Sequence, residues 1–220
     1  MSYLIRVLLP DTPGSLGLLT EAIGLADGNI QSVDIVEAFA DGTVMDDIVV
    51  TLPTTTLADS LITACRSVEG VEVDSIRPFS GRVDRRGQIE LLAELAEKST
   101  DIATAMTNLV NRVPLALTSS WAIVIDDRDH IKRVAASGAA PADDGTHPAA
   151  IAVERARILS PENESWIPET WALLDSSLAA APIGTTGMVL VIGRTGGPDY
   201  LASEVEHLGH LTTIIGAFLK

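Results

Sequence analysis

Residues 11–30 constrain this chain more than any other stretch. The run Asp11-Thr12-Pro13-Gly14-Ser15-Leu16 leads into an amphipathic helix that ends at Gly28-Asn29-Ile30, and apolar segments flank it on both sides. Leu16, Leu19, Ile23 and Ala26 recur at the helical period, so they share a face. Asp11 or Thr12 can cap the helix, and Pro13 suits its first turn. Gly28 is placed to stop it in the left-handed conformation. The Pro-Gly turn leaves backbone N–H groups facing outward, a ready place for a carboxylate.

The following segments repeat the pattern. Residues 2–10 read as a strand apolar on both faces, 14–27 as a helix, and 29–39 as a second strand. Asp41-Gly42 signals a hairpin into a third strand over 44–52. Pro53 and Thr54-Thr55-Thr56 end that strand, and Thr56 can cap a helix with Leu57, Leu61, Ala64 and Val68 on one face. Residues 71–77 are a fourth strand. The order βαββαβ implies a ferredoxin-like split βαβ sandwich. Its open sheet edges call for protection, which dimerisation by sheet extension would give.

The D-x-P-G-x-L turn, the helix after it and the Asn29-Ile30 pair resemble the ACT domain, a small-molecule regulatory module. The resemblance implies an effector pocket, most often for an amino acid, formed by Asp11, Thr12, Pro13, Gly14, Ser15, Leu16, Asn29 and Ile30. The ligand carboxylate would rest on backbone N–H groups near the helix start, and Asn29 would hold its polar atoms. A partner subunit would close the pocket.

Residues 79–88 change character. Pro78, Gly81 and Gly87 break periodicity, and Arg82, Arg85 and Arg86 form a basic cluster. This reads as a solvated linker, with a role against acidic surfaces or a ligand carboxylate as the alternative. The half from 89 to 220 does not repeat the first. A helical pattern over about 88–112 precedes strands at Trp121–Ile125 and Ile131–Ala135, with a loop over 137–148. Helices are expected at 149–158 and 169–179. Met188–Ile192 is a central strand, and Asp199 can cap a final helix to Leu219. The long helix before a strand, the turn Gly193-Arg194-Thr195-Gly196-Gly197-Pro198-Asp199-Tyr200 and the last helix are similar to a GAF domain. Its N-K-F-D-E cyclic-nucleotide signature is absent. This half lacks cysteine, which excludes a thioether-linked bilin. A sensory or dimerisation module is what remains.

Composition narrows the function classes. The net charge of −15 repels a phosphate backbone, so nucleic acid is excluded as a partner. No apolar run reaches the roughly 18 residues of a membrane span, and no basic-then-apolar leader is seen at the N-terminus. Cys65 is the one cysteine, expected to be buried and apolar, in keeping with a reducing cytoplasm.

Other constellations are weak. His207 and His210, three apart with Glu204 and Glu206 nearby, read as solvated helix residues, with a metal as the alternative. Gly193-Arg194-Thr195-Gly196-Gly197 lacks the phosphate-loop pattern and its lysine. Asp46-Asp47 interrupts an apolar strand. It reads as an exposed strand-start pair, with a ligand ammonium or other cation as the alternative partner. Ser15 has no nucleophile elbow around it, and nothing supplies a partner for His147 as a base. Trp166 reads as core cover or as a pocket wall.

The sequence therefore sets two expectations. An α+β chain carries an ACT-like domain over 1–78, a linker over 79–88 and a GAF-like domain over 89–220. It works as a homodimeric, non-catalytic regulator of amino-acid-binding type, with no cofactor or metal called for. The alternatives are a small enzyme with its site in the 126–170 loops and a purely structural dimer.

Overall fold

The structure, a computed structural model, describes residues 1–79, 85–97, 101–128, 130–145 and 150–219. The chain divides into two compact units, Met1–Asp84 and Arg85–Lys220.

In the first unit the strands are β1 (Ser2–Pro10), β2 (Asn29–Ala38), β3 (Thr43–Thr51) and β4 (Glu72–Pro78). All pairings are antiparallel, in the order β2-β3-β1-β4. Helices α1 (Ser15–Leu25) and α2 (Ala58–Arg66) share a core with one face of the sheet: Leu19, Ile23, Leu61 and Cys65 pack with Ile5, Val7, Leu9, Ile48 and Val50. Along β1 and β3 the alternation is strict, so Leu4 and Val49 turn to the other face and join Phe79 there.

Helix α1 departs from the expected caps. Its N-cap residue is Gly14, at φ 98°, and no side chain caps it. Thr12 Oγ1 instead lies 2.7 Å from Ser15 Oγ. At the other end Asp27, not Gly28, takes the left-handed conformation, at φ 59°. Gly28 is required for closeness: a Cβ there would stand 2.6 Å from Ile23 Cγ2 and 2.9 Å from Val50 Cγ1. Leu16, placed on the apolar face by its spacing, is 37% exposed.

The linker expected over 79–88 is shorter. Phe79 is buried, Arg82 lies outside the described residues, and Arg85 already begins α3 (Arg85–Glu97). The single helix expected over 88–112 is two. Asp101 caps α4 (Ile102–Ala116), accepting from Ala103 N at 3.1 Å.

The second unit's strands are β5 (Trp121–Asp126), β6 (Lys132–Ala136), β7 (Arg157–Leu159), β8 (Ser176–Pro182) and β9 (Met188–Thr195). They form an antiparallel sheet in the order β6-β5-β9-β8-β7. Of the helix expected at 149–158, residues 150–156 are irregular chain and 157–158 belong to β7, while 149 and His147 lie outside the described residues. The helix expected at 169–179 is one 3-10 turn, Glu169–Trp171, followed by β8. Helix α5 (Ala202–Phe218) lies so close to the turn between β8 and β9 that a Cβ on Gly216 would come 2.6 Å from Gly184 Cα. The run of alanines in β8 reads as helix from propensity alone, but burial on both faces makes it a strand.

Candidate functional site

The expected site residues fall into two groups. Asp11, Thr12, Pro13, Gly14 and Leu16 are exposed and Ser15 half-buried, all at the end of the sheet where Pro10 pairs with Thr43. By helix geometry the N–H groups of Leu16 and Gly17 have no acceptor within α1, and Gly14 brings no side chain to cap them. Asn29 is exposed and Ile30 half-buried, at the other end: Asn29 and Ser2 both pair with Thr51. Eight residues of β3 separate the two groups, about 26 Å at the usual rise of a strand. One chain therefore does not bring Asn29 to the 11–16 turn.

Between these ends the sheet holds charges that alternation sends to opposite faces. Asp47 turns away from the helices and accepts from Arg6 twice, Nε to Oδ1 at 2.7 Å and Nη2 to Oδ2 at 2.9 Å. Both side chains are only 2% exposed. Asp46 faces the helices, among Val44, Ile48 and Val50, and is also 2% exposed. Its Oδ1 has no hydrogen-bond partner. Burial, and then the negative charges of Asp47, Asp34 and Asp11, pushes its carboxyl up to about 6. The expectation of an exposed strand-start pair is thus corrected for both residues. A polar residue among Val44, Ile48 and Val50, in a strand one place in from the edge, is buried with the apolar side chains around it.

A groove of about 510 Å³ lies on the outer surface of α1 and α2, lined by Ala22, Leu25, Ala26 and Ala64 with Ser60 and Thr63 at its side. It shares no residue with the 11–16 turn.

In the second unit, the sheet face away from the helices is filled by indoles. Trp171 packs edge-on against Trp121 and Trp166 at 6.3 and 6.4 Å between ring centres. Trp166 Nε1 donates to Glu164 Oε2 at 2.9 Å, so this residue covers core. Glu164 also accepts from Ser160 N and pairs with Arg157, and these bonds, the Arg157 guanidinium first, hold its carboxyl down to about 2. Asp126 is held down to about 2 mainly by Arg128. Arg157 edges a cavity of about 360 Å³ with Ala152, Glu154 and Arg155.

Arg194 is fully buried. It donates to Thr118 O, Thr118 Oγ1 and Glu204 Oε1 at 3.1, 2.8 and 2.7 Å, and lies 4.2 Å over the Tyr200 ring. Gly197 is a glycine because a Cβ would meet Arg194 Cγ at 2.4 Å. Arg194 is therefore committed to Thr118, Glu204 and Tyr200 within its own unit, and Gly197 leaves room for its stem. His207 Nε2 lies 2.9 Å from Gln88 Oε1, and among the described residues no three His, Cys, Asp or Glu side chains are placed to hold a metal. None of the described helices is long and apolar enough to cross a membrane.

No protein-family model matches the chain, and no curated protein does. Solved structures do. A GAF domain from a phosphoenolpyruvate-protein phosphotransferase of Coxiella burnetii matches at 14% identity and a TM-score of 0.45, over 60% of this chain and 92% of that one. The phycoerythrobilin-bound GAF domain of a cyanobacterial phytochrome matches at 13% and 0.47, over 60% and 93%. Free methionine-R-sulfoxide reductase from Neisseria meningitidis, in complex with its substrate, matches at 13% and 0.44, over 64% and 95%. Likenesses this distant assign no activity.

They do correct the family expected for residues 1–78. GAF domains recur among these structures, none of them is described as an ACT domain, and no family model supports one. The ACT membership, and the fold class of an ACT-like ferredoxin domain followed by a weaker GAF-like one, are withdrawn with it. The physical reason lies in the motif. A Pro-Gly turn into a helix and a Gly-Asn-Ile exit from it meet needs common to short strand–helix–strand connections. Here they stand at opposite ends of the sheet.

Proposed function

We propose that this protein is a non-catalytic regulator that binds a small ligand, an amino acid, in its first unit, and that it does so as a homodimer. The observation that carries the reading is the start of α1. Its N–H groups at Leu16 and Gly17 open onto an exposed turn with no capping side chain, which suits a carboxylate. Asn29 is the second polar contact in this reading. Because it lies at the far end of the same sheet, a pocket that uses both takes its halves from two chains, and ligand binding is then linked to dimer geometry. The division into a ligand-binding part over 1–78, a linker over 79–88 and a sensory or dimerisation part over 89–220 belongs to the same proposal.

The reading is favoured over a small enzyme by the state of the 126–170 region. There Arg128 holds the Asp126 carboxyl, and Arg157 the Glu164 carboxyl, down at about 2, so neither is suited to act as a general acid. A thermal-shift screen of the amino acids, with purines and nucleotides alongside, tests it. Ligand binding to the native state raises the melting temperature. Asn29→Ala should weaken the response to the best amino acid by about tenfold or more, as loss of a hydrogen bond to a charged group does. Its unliganded melt should stay close to wild type, since Asn29 is exposed. A screen in which no amino acid shifts the melt would leave the structural dimer.

A further inference from the structure

We propose that Asp46 is the receptor for a primary ammonium group carried by the ligand. The proposal rests on the ligand-binding reading above and names the chemistry of the second half of that ligand.

The first observation is an unpartnered carboxylate. Asp46 is 2% exposed, and its Oδ1 has no hydrogen-bond partner. A buried charge without a partner is costly, so such groups either neutralise or hold a counter-ion. Its neighbour Asp47 shows the alternative within the same strand: equally buried, it is held bidentately by Arg6. Arg6 and Asp47 lie on the sheet face opposite Asp46, and strand alternation keeps them there.

The second observation is that nothing of positive charge stands close by in the sequence. No lysine, arginine or histidine occurs between Arg6 and Arg66, a stretch that holds all of β2, β3 and α1. The charged groups near Asp46 are Asp47 on its own strand, Asp34 on β2 and Asp11 in the turn after β1. Helix α1, which covers this face, carries one ionisable side chain, Glu21, and it is exposed. Helix α2 contributes Asp59 and Arg66, both exposed, and the buried Cys65. A counter-ion for Asp46, if it is held ionised, therefore comes from outside this stretch of chain. A metal suits the place less well, since no three ligating side chains converge among the described residues.

The third observation is access. Asp46 pairs with Val7 on one side and with Ile35 of β2 on the other. Strand β2 is the sheet edge, Ile35 is 63% exposed, and the register shifts between Ile35 and Glu37. A bulge on an edge strand bends it locally and re-aims side chains, and bulges favour the neighbourhood of binding sites. The cross-strand neighbour of Asp46 on the edge side is thus a largely exposed residue beside a bulge. The pairing level of Asp46 is at Val7, four residues before the turn that begins at Asp11, on the face that α1 covers.

The test measures thermal shift and calorimetric binding on the full chain with three probes: the amino acids, the matching α-hydroxy acids, and methylammonium. Wild type should respond to one or more amino acids and at least tenfold more weakly to the hydroxy acid of the same side chain. Asp46→Asn should lose about tenfold or more in affinity for the same amino acid. Equal binding by Asp46→Asn and wild type overturns the role of Asp46 and leaves the ligand-binding reading standing. If no amino acid binds wild type, the ligand-binding reading fails and methylammonium decides the rest. Stabilisation of wild type and not of Asp46→Asn keeps Asp46 as an ammonium receptor, and no stabilisation of either overturns it. Should Asp46→Asn fail to fold, the pH profile of wild type serves. Amino-acid binding should weaken as pH falls through about 6, where Asp46 takes up a proton, and a flat profile between pH 7 and 5 overturns the proposal.

Discussion

Asp46 and Asp47 are adjacent on β3, equally buried, and opposite in electrostatic state: Asp47 is clamped by Arg6, and Asp46 has an oxygen with no partner. Alternation along the strand is the whole cause. One side chain meets β1's arginine on the face away from the helices, and the other meets the aliphatic core beneath α1.

The clamp should behave as a buried pair does. Removing one partner, by Arg6→Met or Asp47→Asn, should cost about 3–5 kcal/mol in urea unfolding, because the other is left charged and uncompensated. The double variant Arg6→Met/Asp47→Leu should recover most of that loss. A double variant as unstable as the sum of the singles would show that the two do not act as a pair.

The stability of Asp46→Asn relative to wild type should depend on pH. The folded carboxyl is raised from 3.8 to about 6. Its stabilising protonated state is fully present below about 3.8 and is lost as pH rises through about 6. Asp46→Asn should therefore match wild type near pH 3.5 and exceed it above pH 7, by up to about 3 kcal/mol. Melts that run parallel across this range would contradict the burial of an unpaired charge at Asp46.

Glu164 works in the other sense. Its carboxyl is lowered from 4.5 to about 2 by Arg157, Ser160 N and Trp166. Its contribution is present above about 4.5 and is lost as pH falls through about 2. Glu164→Gln should destabilise the chain by about 2–3 kcal/mol at pH 7 and change the fluorescence of Trp166, whose Nε1 it holds. A variant with wild-type emission and stability would count against that network.

Gly216→Ala gives a packing test. Alanine gains about 1 kcal/mol of helix propensity over glycine. Here its methyl would stand 2.6 Å from Gly184 Cα and 2.9 Å from Ile183 C, both backbone. The net effect should be a loss of about 1–3 kcal/mol. A stabilised variant would mean that α5 does not approach the turn after β8 this closely.

How much of this was legible in the sequence depends on which interactions decided it. Periodicity located the strands and helices of the first 78 residues to within a residue or two, because Leu19, Ile23, Leu61 and the strand valines each bury one regular face. The family suggested by the Pro-Gly turn was not legible, since a local turn carries no information about what the rest of the sheet resembles. At the far end of α1 the left-handed position fell on Asp27, and Gly28 is needed instead for its closeness to Ile23 and Val50. The helix expected over 169–179 overlaps the start of β8, whose alternate residues prove to be buried against α5 on one side and the indole face on the other. The expected site residues were named by position but not by register. Only the pairing of Asn29 with Thr51, and of Pro10 with Thr43, shows them at opposite ends. The burial of Asp46 and its missing partner needed the structure, although the absence of any basic residue between Arg6 and Arg66 was there to be read.

The most direct measurement mixes two defective chains. Gly14→Val strains the turn, at a position with φ 98°, and Asn29→Ala removes the distant polar contact. If each pocket takes its turn from one chain and Asn29 from the other, neither homodimer binds well, but the mixed dimer regains one intact pocket of its two. Calorimetry with the amino acid that gives the largest shift in wild type should show about one tight site per mixed dimer, at wild-type affinity. A mixed dimer that binds no better than its parents would contradict a pocket shared between chains.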